Sequence, residues 1–266
     1  MKPGVYHHPQ YYEVAFSYRD ILAELAVFNT LIDRHSDIPV SNVLELGCGP
    51  APYVEALTQH GYAYTGLDLS QVMLQYARHR TDQRNLNAEF QLGDMLDFQL
   101  DKPMDFAFLL LGSLFIRNTS DLISHFDSVA RTLRPGGLYL LEQCVAFAPF
   151  IERTFTWELS QDGIAVKTTF HVNPLSHVDQ TAEETLTMEV SHHNTTKVLQ
   201  EVWLRRLIFP QEFLMFIANG NDFEFVGWWK NWSLAQSLDN FQANNRSIVL
   251  VKRVQNKRGL RAPHGA

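Results

Sequence analysis

The sequence predicts an α/β fold: a doubly wound, mostly parallel seven-stranded sheet with an antiparallel β-sheet inserted after strand five. Three observations carry this. Short apolar runs alternate with helix-period segments between Asn42 and Glu142, the β-α rhythm of a parallel sheet. The run from Asp105 to Leu111 is apolar throughout after its first residue, as a strand covered on both faces should be. After Cys144 four strand-like runs follow without helices between them, and Asp162-Gly163 between the first two is a strong hairpin signal.

The elements read in order as follows. Tyr11, Tyr12, Phe16 and Tyr18 crowd a helical N-terminal segment, and Ile21, Leu22, Leu25, Ala26 and Phe28 recur near the 3.6 period until Pro39 closes it. Asn42–Leu46 is strand one. Pro50 and Pro52 suit a loop and the first turn of a helix running from Tyr53 to about His60, with Gly61 past its end. Ala63–Leu67 is strand two, and Ser70 is the expected N-cap of a helix whose face is Val72, Met73, Tyr76 and Ala77. Glu89–Leu92 and Asp105–Leu111 are strands three and four. Ser120 is expected to cap a helix with Leu122, Phe126, Val129 and Leu133 on one face. Pro135-Gly136-Gly137 should stop that helix and turn into strand five, Leu138–Glu142. Thr154–Ser160, Ile164–Val172, Thr185–Ser191 and Glu201–Leu207 are the inserted strands. A helix from Pro210 to Gly220 and strands Phe223–Trp229 and Ser247–Lys252 complete the main sheet. The expected organisation is an N-terminal helical cap (1–40), a ligand-binding sheet domain (41–150 and 210–254), an inserted antiparallel lobe (151–209) and a flexible tail (255–266).

Composition narrows the function classes. The chain has 266 residues, is 45% hydrophobic and carries a net charge of −7, so nothing broad favours nucleic acid or an anionic membrane. Met1–Gln10 lacks an apolar segment, and no run is long enough to span a bilayer; both point to a cytoplasmic protein without a membrane partner. Two cysteines make neither a disulfide framework nor a zinc site, and no metal is expected.

Ligands of open parallel sheets sit at the carboxyl ends of the strands. Gly47, Asp68, Asp94 and Leu111 all fall at such ends. Strand one ends in Glu45-Leu46-Gly47-Cys48-Gly49, a tight loop whose backbone can touch a ligand, and Asp68 follows 68 − 47 = 21 residues later, placed to hold ribose hydroxyls. The pair points to a nucleoside cofactor. A dinucleotide loop prefers a third glycine, where this chain has Pro52; the loss counts against a nicotinamide oxidoreductase. Glu45 would repel a pyrophosphate and attract an ammonium.

The pattern resembles class I (Rossmann-like) S-adenosylmethionine-dependent methyltransferases. Four segments carry the resemblance: Leu44–Gly49, Gly66–Leu74, Gln91–Met95 and Leu133–Gly137. It implies S-adenosylmethionine as cofactor and S-adenosylhomocysteine as product. It further implies that Glu45, Gly47, Cys48 and Gly49 line the methionine end and that Asp68 binds both ribose hydroxyls. Leu69 and Met73 would lie against the adenine, Asp94 and Met95 would meet its amine and ring nitrogen, and the Leu111 carbonyl would sit near the methionine amine.

Within the class, the Tyr12-Glu13 to Asp20 segment and the insertion after strand five are similar to small-molecule methyltransferases such as amino-sugar N,N-dimethyltransferases. Leu111-Gly112-Ser113-Leu114 stands where nucleic-acid amino methyltransferases carry Asn/Asp-Pro-Pro-Tyr/Phe, so no nucleic-acid partner is expected. Methyl transfer is an in-line displacement in which alignment alone can supply about 7–11 kcal/mol, so a conspicuous catalytic side chain is not required. Tyr12, Tyr18, Arg19 and Glu142 are the candidates at the acceptor: two ring faces for the sulfonium, a guanidinium for a substrate anion, and a base. For each, core packing or a surface ion pair is the competing reading; Arg19 would then pair with Asp20 or Glu13. The sequence therefore predicts methylation of a small-molecule nitrogen or oxygen. A non-catalytic cofactor-binding regulator or partner is the alternative. The inserted sheet is a lid or a homodimer interface, and acceptor, methyl count and oligomeric state are not fixed.

Overall fold

In the computed structural model, described for residues 4–148, 150–193, 195–220, 222–236, 238 and 245–255, seven strands form one sheet in the order β10-β11-β5-β4-β1-β2-β3. These are β1 (Asn42–Leu46), β2 (Ala63–Asp68), β3 (Ala88–Leu92), β4 (Met104–Leu109), β5 (Leu133–Glu142), β10 (Phe223–Lys230) and β11 (Ser247–Arg253). β1 to β5 pair in parallel, and β11 runs antiparallel to both β5 and β10. A separate antiparallel sheet holds β6 (Arg153–Gln161), β7 (Ile164–Ser176), β8 (Thr181–His192) and β9 (Thr195–Arg206) in sequence order. The expected fold class is the observed one.

Side chains of the central strands alternate between two cores, as the two-residue strand period dictates. Leu44, Ala107, Leu109, Tyr139 and Leu141 face α5 (Thr119–Thr132) and α6 (Pro210–Asn219). Val43, Phe106, Phe108, Leu138 and Leu140 face α2 (Ile21–His35) and α3 (Val54–Gln59). The strand order reverses between β1 and β4, which leaves a crevice at their carboxyl ends.

The N-terminal segment divides between two bodies. α1 (Pro9–Ala15) packs Tyr11, Val14 and Ala15 with Val166, Leu186, Met188, Val190 and Leu199 of the inserted sheet. The Trp157 indole N–H donates to Ala15 O at 2.7 Å. α2 instead belongs to the main core through Leu25, Phe28 and Leu31. The turn between the two helices therefore bridges the sheets and roofs the crevice.

Several local expectations need correction. Asn118, not Ser120, caps α5, because its side chain accepts from Asp121 N at 2.9 Å and captures the first turn two residues early. Pro135-Gly136-Gly137 lies inside β5, which starts at Leu133: the pairing jumps from Met104 with Leu133 to Phe106 with Leu138, so these residues bulge out of register with β4 and the proline needs no ladder hydrogen bond. Arg134 there pairs with Asp105, whose other oxygen accepts from Ser41 N and Asn42 N at 2.9 Å and anchors the start of β1. β8 and β9 begin before their expected first residues, and β4 ends at Leu109, leaving Leu111 in the loop beyond. The tail from 256 onward lies outside the described residues.

Candidate functional site

The loop after β1 is built on left-handed backbone. Gly47 has φ +63° and Gly49 φ +51°, conformations that glycine adopts freely. A Cβ on Gly47 would stand 3.1 Å from Met95 Cε, so the bare backbone keeps the crevice open there. Asp68 closes the loop from β2: its Oδ2 accepts from Gly49 N and its Oδ1 from Ser70 N, each at 2.7 Å. Each carboxylate oxygen keeps a second acceptor site. Ser70 caps α4 (Gln71–Gln83), accepting from Met73 N at 3.3 Å.

Two cavities meet over this loop. One of about 660 Å³ is lined by Gly47, Gly49, Asp68, Leu69, Met73, Asp94 and Met95. Leu69 is exposed and Met73 is buried. Asp94 is exposed, with Oδ1 accepting from Leu96 N at 2.9 Å. The other cavity, about 260 Å³, is lined by Glu45, Gly47, Cys48, Gly49, Arg19 and Leu111. Burial pushes the Glu45 carboxyl up to about 8, against the opposing pull of the Tyr64 hydroxyl, which donates to Glu45 Oε2 at 2.5 Å. Cys48 is buried, and burial together with the neighbouring Glu45 and Asp68 carboxylates raises its thiol well above the ordinary range, so it is no nucleophile.

A third cavity, of about 440 Å³, opens between the crevice and the inserted sheet. Its wall is aromatic, with Tyr6, Tyr12, Phe16, Tyr18, Phe115, Phe155, Trp157, Phe170 and Trp203, and its polar groups include Ser113, Gln143 and Arg246. Tyr12 and Ser113 line all three cavities, and Leu111 lines two of them. Tyr12 packs on Phe16 with ring centroids 4.5 Å apart; Tyr18, half exposed, meets only the aromatic chamber.

Leu111 and Gly112 follow β4 with φ +57° and +66°, and Gln143 follows β5 with φ +55°. Left-handed backbone at a leucine and a glutamine is strained, and something must hold it. Glu142 does so, accepting from Leu111 N at 2.9 Å through Oε2. The same carboxylate accepts from Trp232 Nε1 at 2.9 Å and pairs with Arg19 at 3.3 Å and with Arg246. Arg19 and Arg246 also pair with Glu24, at 2.7 and 2.8 Å. Tyr53 donates its hydroxyl to Glu24. Two carboxylates and two guanidiniums thus form a neutral cluster under the site. Burial works to raise the Glu142 carboxyl, but Arg19 and Arg246 overcome it and hold the carboxyl below its usual range.

This changes two of the sequence readings. Glu142 is fully buried, spends its oxygens on these partners and lines none of the three cavities, which leaves it no lone pair facing an acceptor for work as a base. Arg19 is not a surface partner of Asp20 or Glu13: its side chain is 4% exposed and it borders the Glu45 cavity rather than the aromatic chamber. Glu13 pairs instead with Arg80 of α4. His125 is fully buried, with its rings' nitrogens bonded to Met95 O (2.8 Å) and Tyr139 OH (2.7 Å); burial holds it down to about 4, and it braces the Met95 loop from behind. Sequence reasoning missed Glu24, Arg246, Ser113 and Gln143. The left-handed Leu111-Gly112 turn carried the only local signal, in its glycine.

Residues 43–137 match the methyltransferase domain family. The chain is 30% identical over 125 residues to a dTDP-3-amino-3,4,6-trideoxy-alpha-D-glucopyranose N,N-dimethyltransferase of Streptomyces venezuelae, covering 47% of this chain and 51% of that one. It thus spans about half the length of this curated relative. In fold it is similar to a S-adenosylmethionine-dependent methyltransferase from Clostridium acetobutylicum ATCC 824, with TM-score 0.75, 17% identity and coverage of 92% and 96% of the two chains. It is also similar to CalS10, an amino pentose methyltransferase of Micromonospora echinaspora solved with SAM bound, with TM-score 0.68, 17% identity and coverage of 91% and 96%. The matched segment, residues 43–137, runs from β1 into β5 of this sheet.

Proposed function

We propose that the protein is a S-adenosylmethionine-dependent methyltransferase acting on a nitrogen or oxygen of a small molecule. One observation carries the reading: Tyr12 and Ser113 stand where the two cavities over the glycine loop open into the aromatic chamber. A cofactor lying along the loop would present its far end there.

The residues fit that cofactor. Asp68 keeps an acceptor site on each oxygen for the ribose hydroxyls, and Leu69 and Met73 offer apolar surface for the adenine, with Asp94 and Met95 at its edge. Glu45 would face the methionine ammonium, Arg19 would offer its guanidinium to the methionine carboxylate, and Gly47, Cys48 and Gly49 would supply backbone, since all five line one cavity. The left-handed turn held by Glu142 fixes the Leu111 carbonyl beside them. When bound, the cofactor supplies an electrophilic methyl. The chain's part is alignment: Tyr12 covers the junction with a ring face that favours a cation, while the aromatic wall excludes water from the acceptor. Among the described residues lining the chamber there is no carboxylate or imidazole, which favours an acceptor that sheds its proton without a protein base.

The net charge of −7 and the small chamber favour a small acceptor over nucleic acid. No helix among the described residues is long and apolar enough to cross a membrane. The division into sheet domain and inserted lobe stands as part of this reading. Exposed Val198, Val202 and Leu204 on edge strand β9 make it the candidate face for a second copy. The test is transfer of a labelled methyl from S-adenosylmethionine into a pooled small-metabolite extract. Label should enter a small molecule with the wild type and far less with Asp68→Ala. Cofactor binding without transfer would favour the regulatory role instead.

A further inference from the structure

The inner face of the inserted sheet is ordered in rows. Arg153, Val172, Glu184 and Trp203 are register partners across β6 to β9, and the row two residues further along holds Phe155, Phe170 and Leu186. The second row faces the aromatic chamber. Arg153, Val172 and Glu184 of the first row border a smaller compartment of about 140 Å³, which shares Leu111, Gln143, Phe155 and Phe170 with the chamber.

The polar wall of this compartment contains Arg153, Arg205 and Glu184. Arg205 is 7% exposed; its Nη1 lies 3.4 Å from both Glu184 oxygens and its Nη2 donates to Gln143 O at 3.3 Å. Its Nε is buried without a hydrogen-bond partner. Glu184 is already engaged by Arg205 and by Trp203 Nε1 at 2.8 Å. Arg153 stands across Val172 from Glu184 and forms no ion pair among the described residues; its Nε is also buried and unpartnered. Two guanidiniums against one carboxylate leave a net charge of +1.

A half-buried guanidinium without an ion pair, whose nearest carboxylate is already paired with another arginine, is costly unless a ligand supplies the balancing charge. A carboxylate matches the planar fork of arginine, and its single charge balances the compartment. A diphosphate would bring more negative charge than these residues neutralise. The adjoining chamber offers mainly ring faces: the indole N–H groups of Trp157 and Trp203 are spent on Ala15 O and Glu184, and polar groups such as Ser113 and Gln143 are a minority of its wall. We propose that Arg153 and Arg205 form an anion subsite, and that the acceptor is a carboxylate-bearing molecule with an apolar, ring-containing body. The word acceptor rests on the methyltransferase reading; the subsite does not.

The test is calorimetry on wild type, Arg153→Gln and Arg153→Lys, with and without saturating S-adenosylhomocysteine. The probes are three acid and amide pairs: benzoate and benzamide, 2-naphthoate and 2-naphthamide, indole-3-acetate and indole-3-acetamide. At least one acid should bind the wild type tenfold or more tighter than its amide. That preference should vanish in Arg153→Gln and largely return in Arg153→Lys, with S-adenosylhomocysteine affinity unchanged in all three. Equal binding of acids and amides, no binding of any probe, or a preference that survives Arg153→Gln overturns the proposal. Failure of S-adenosylhomocysteine to bind would instead remove the methyltransferase reading, while the acid and amide comparison still decides the subsite.

Discussion

If the cavity at Glu45 holds the methionine end of the cofactor, as proposed, burial of this carboxyl makes binding sensitive to pH in a defined direction. Its carboxyl is 4% exposed and burial raises it to about 8, so at pH 6 it is almost wholly neutral. An ammonium is bound by the ionised form. Removing the proton at pH 6 costs about 2.7 kcal/mol, from two pH units at about 1.36 kcal/mol each. Affinity should therefore rise with pH, about tenfold per unit, as long as the bound carboxyl stays ionised, and level off near 8. Between pH 6 and 7.5 the expected gain for S-adenosylhomocysteine is about 30-fold, with close to one proton released per ligand. Titration calorimetry in buffers of different ionisation enthalpy measures both quantities. Glu45→Gln should bind more weakly at pH 8 and show neither slope nor release. The same burial acts on folding with a defined sign. The folded carboxyl is raised from 4.5 to about 8, so stability is full below 4.5 and is lost as pH rises to about 8, by up to about 5 kcal/mol. Flat affinity with no proton released, or a slope that persists in Glu45→Gln, would refute the argument.

Four further outcomes follow from the same geometry. Arg246→Gln leaves Glu24 and Glu142 sharing the one guanidinium of Arg19, and denaturant unfolding should show a loss of about 3–5 kcal/mol. Because the Glu142 carboxyl is held below its ordinary 4.5, its contribution to stability is present above that pH and lost as pH falls through the folded value; Glu142→Gln should flatten this acid limb. Gly47→Ala places a Cβ at φ +63° and 3.1 Å from Met95 Cε, and should lower stability by about 1–2 kcal/mol in thermal unfolding while weakening cofactor binding. Tyr12→Ala should reduce kcat/KM about 100-fold by loosening alignment at the junction. Tyr12→Phe should stay within a few-fold, because no described residue hydrogen-bonds the Tyr12 hydroxyl; a large loss in the Phe variant would mean that the hydroxyl acts on substrate.

What the sequence made legible was whatever depends on local spacing. Strand and helix periods place the central sheet, and Gly47, Gly49 and Asp68 fall at strand ends because the loops between them are short. The Asp162-Gly163 hairpin follows from turn chemistry alone, and the structure has both residues at positive φ. What was not legible depends on distant residues meeting. Arg246 reaches Glu24 and Glu142 only because β11 lies beside β5, a pairing that no local pattern encodes. Arg19 reads as a surface residue beside Asp20, yet α2 carries Glu24 inward and the arginine follows it. Pro135 breaks helices by local rules, but a bulge in β5 opposite Met104–Phe106 lets it sit in the strand. The row of Arg153, Val172, Glu184 and Trp203 exists only once the register of four strands is known.

The measurement closest to the central claim is calorimetry of S-adenosylmethionine on the folded wild type and on Asp68→Ala. The wild type should bind it, and S-adenosylhomocysteine too. Loss of the ribose hydrogen bonds should weaken affinity roughly 10- to 150-fold, the equivalent of about 1.5–3 kcal/mol. A folded wild type that binds neither ligand, or an Asp68→Ala protein that binds both as well as the wild type, would contradict the account.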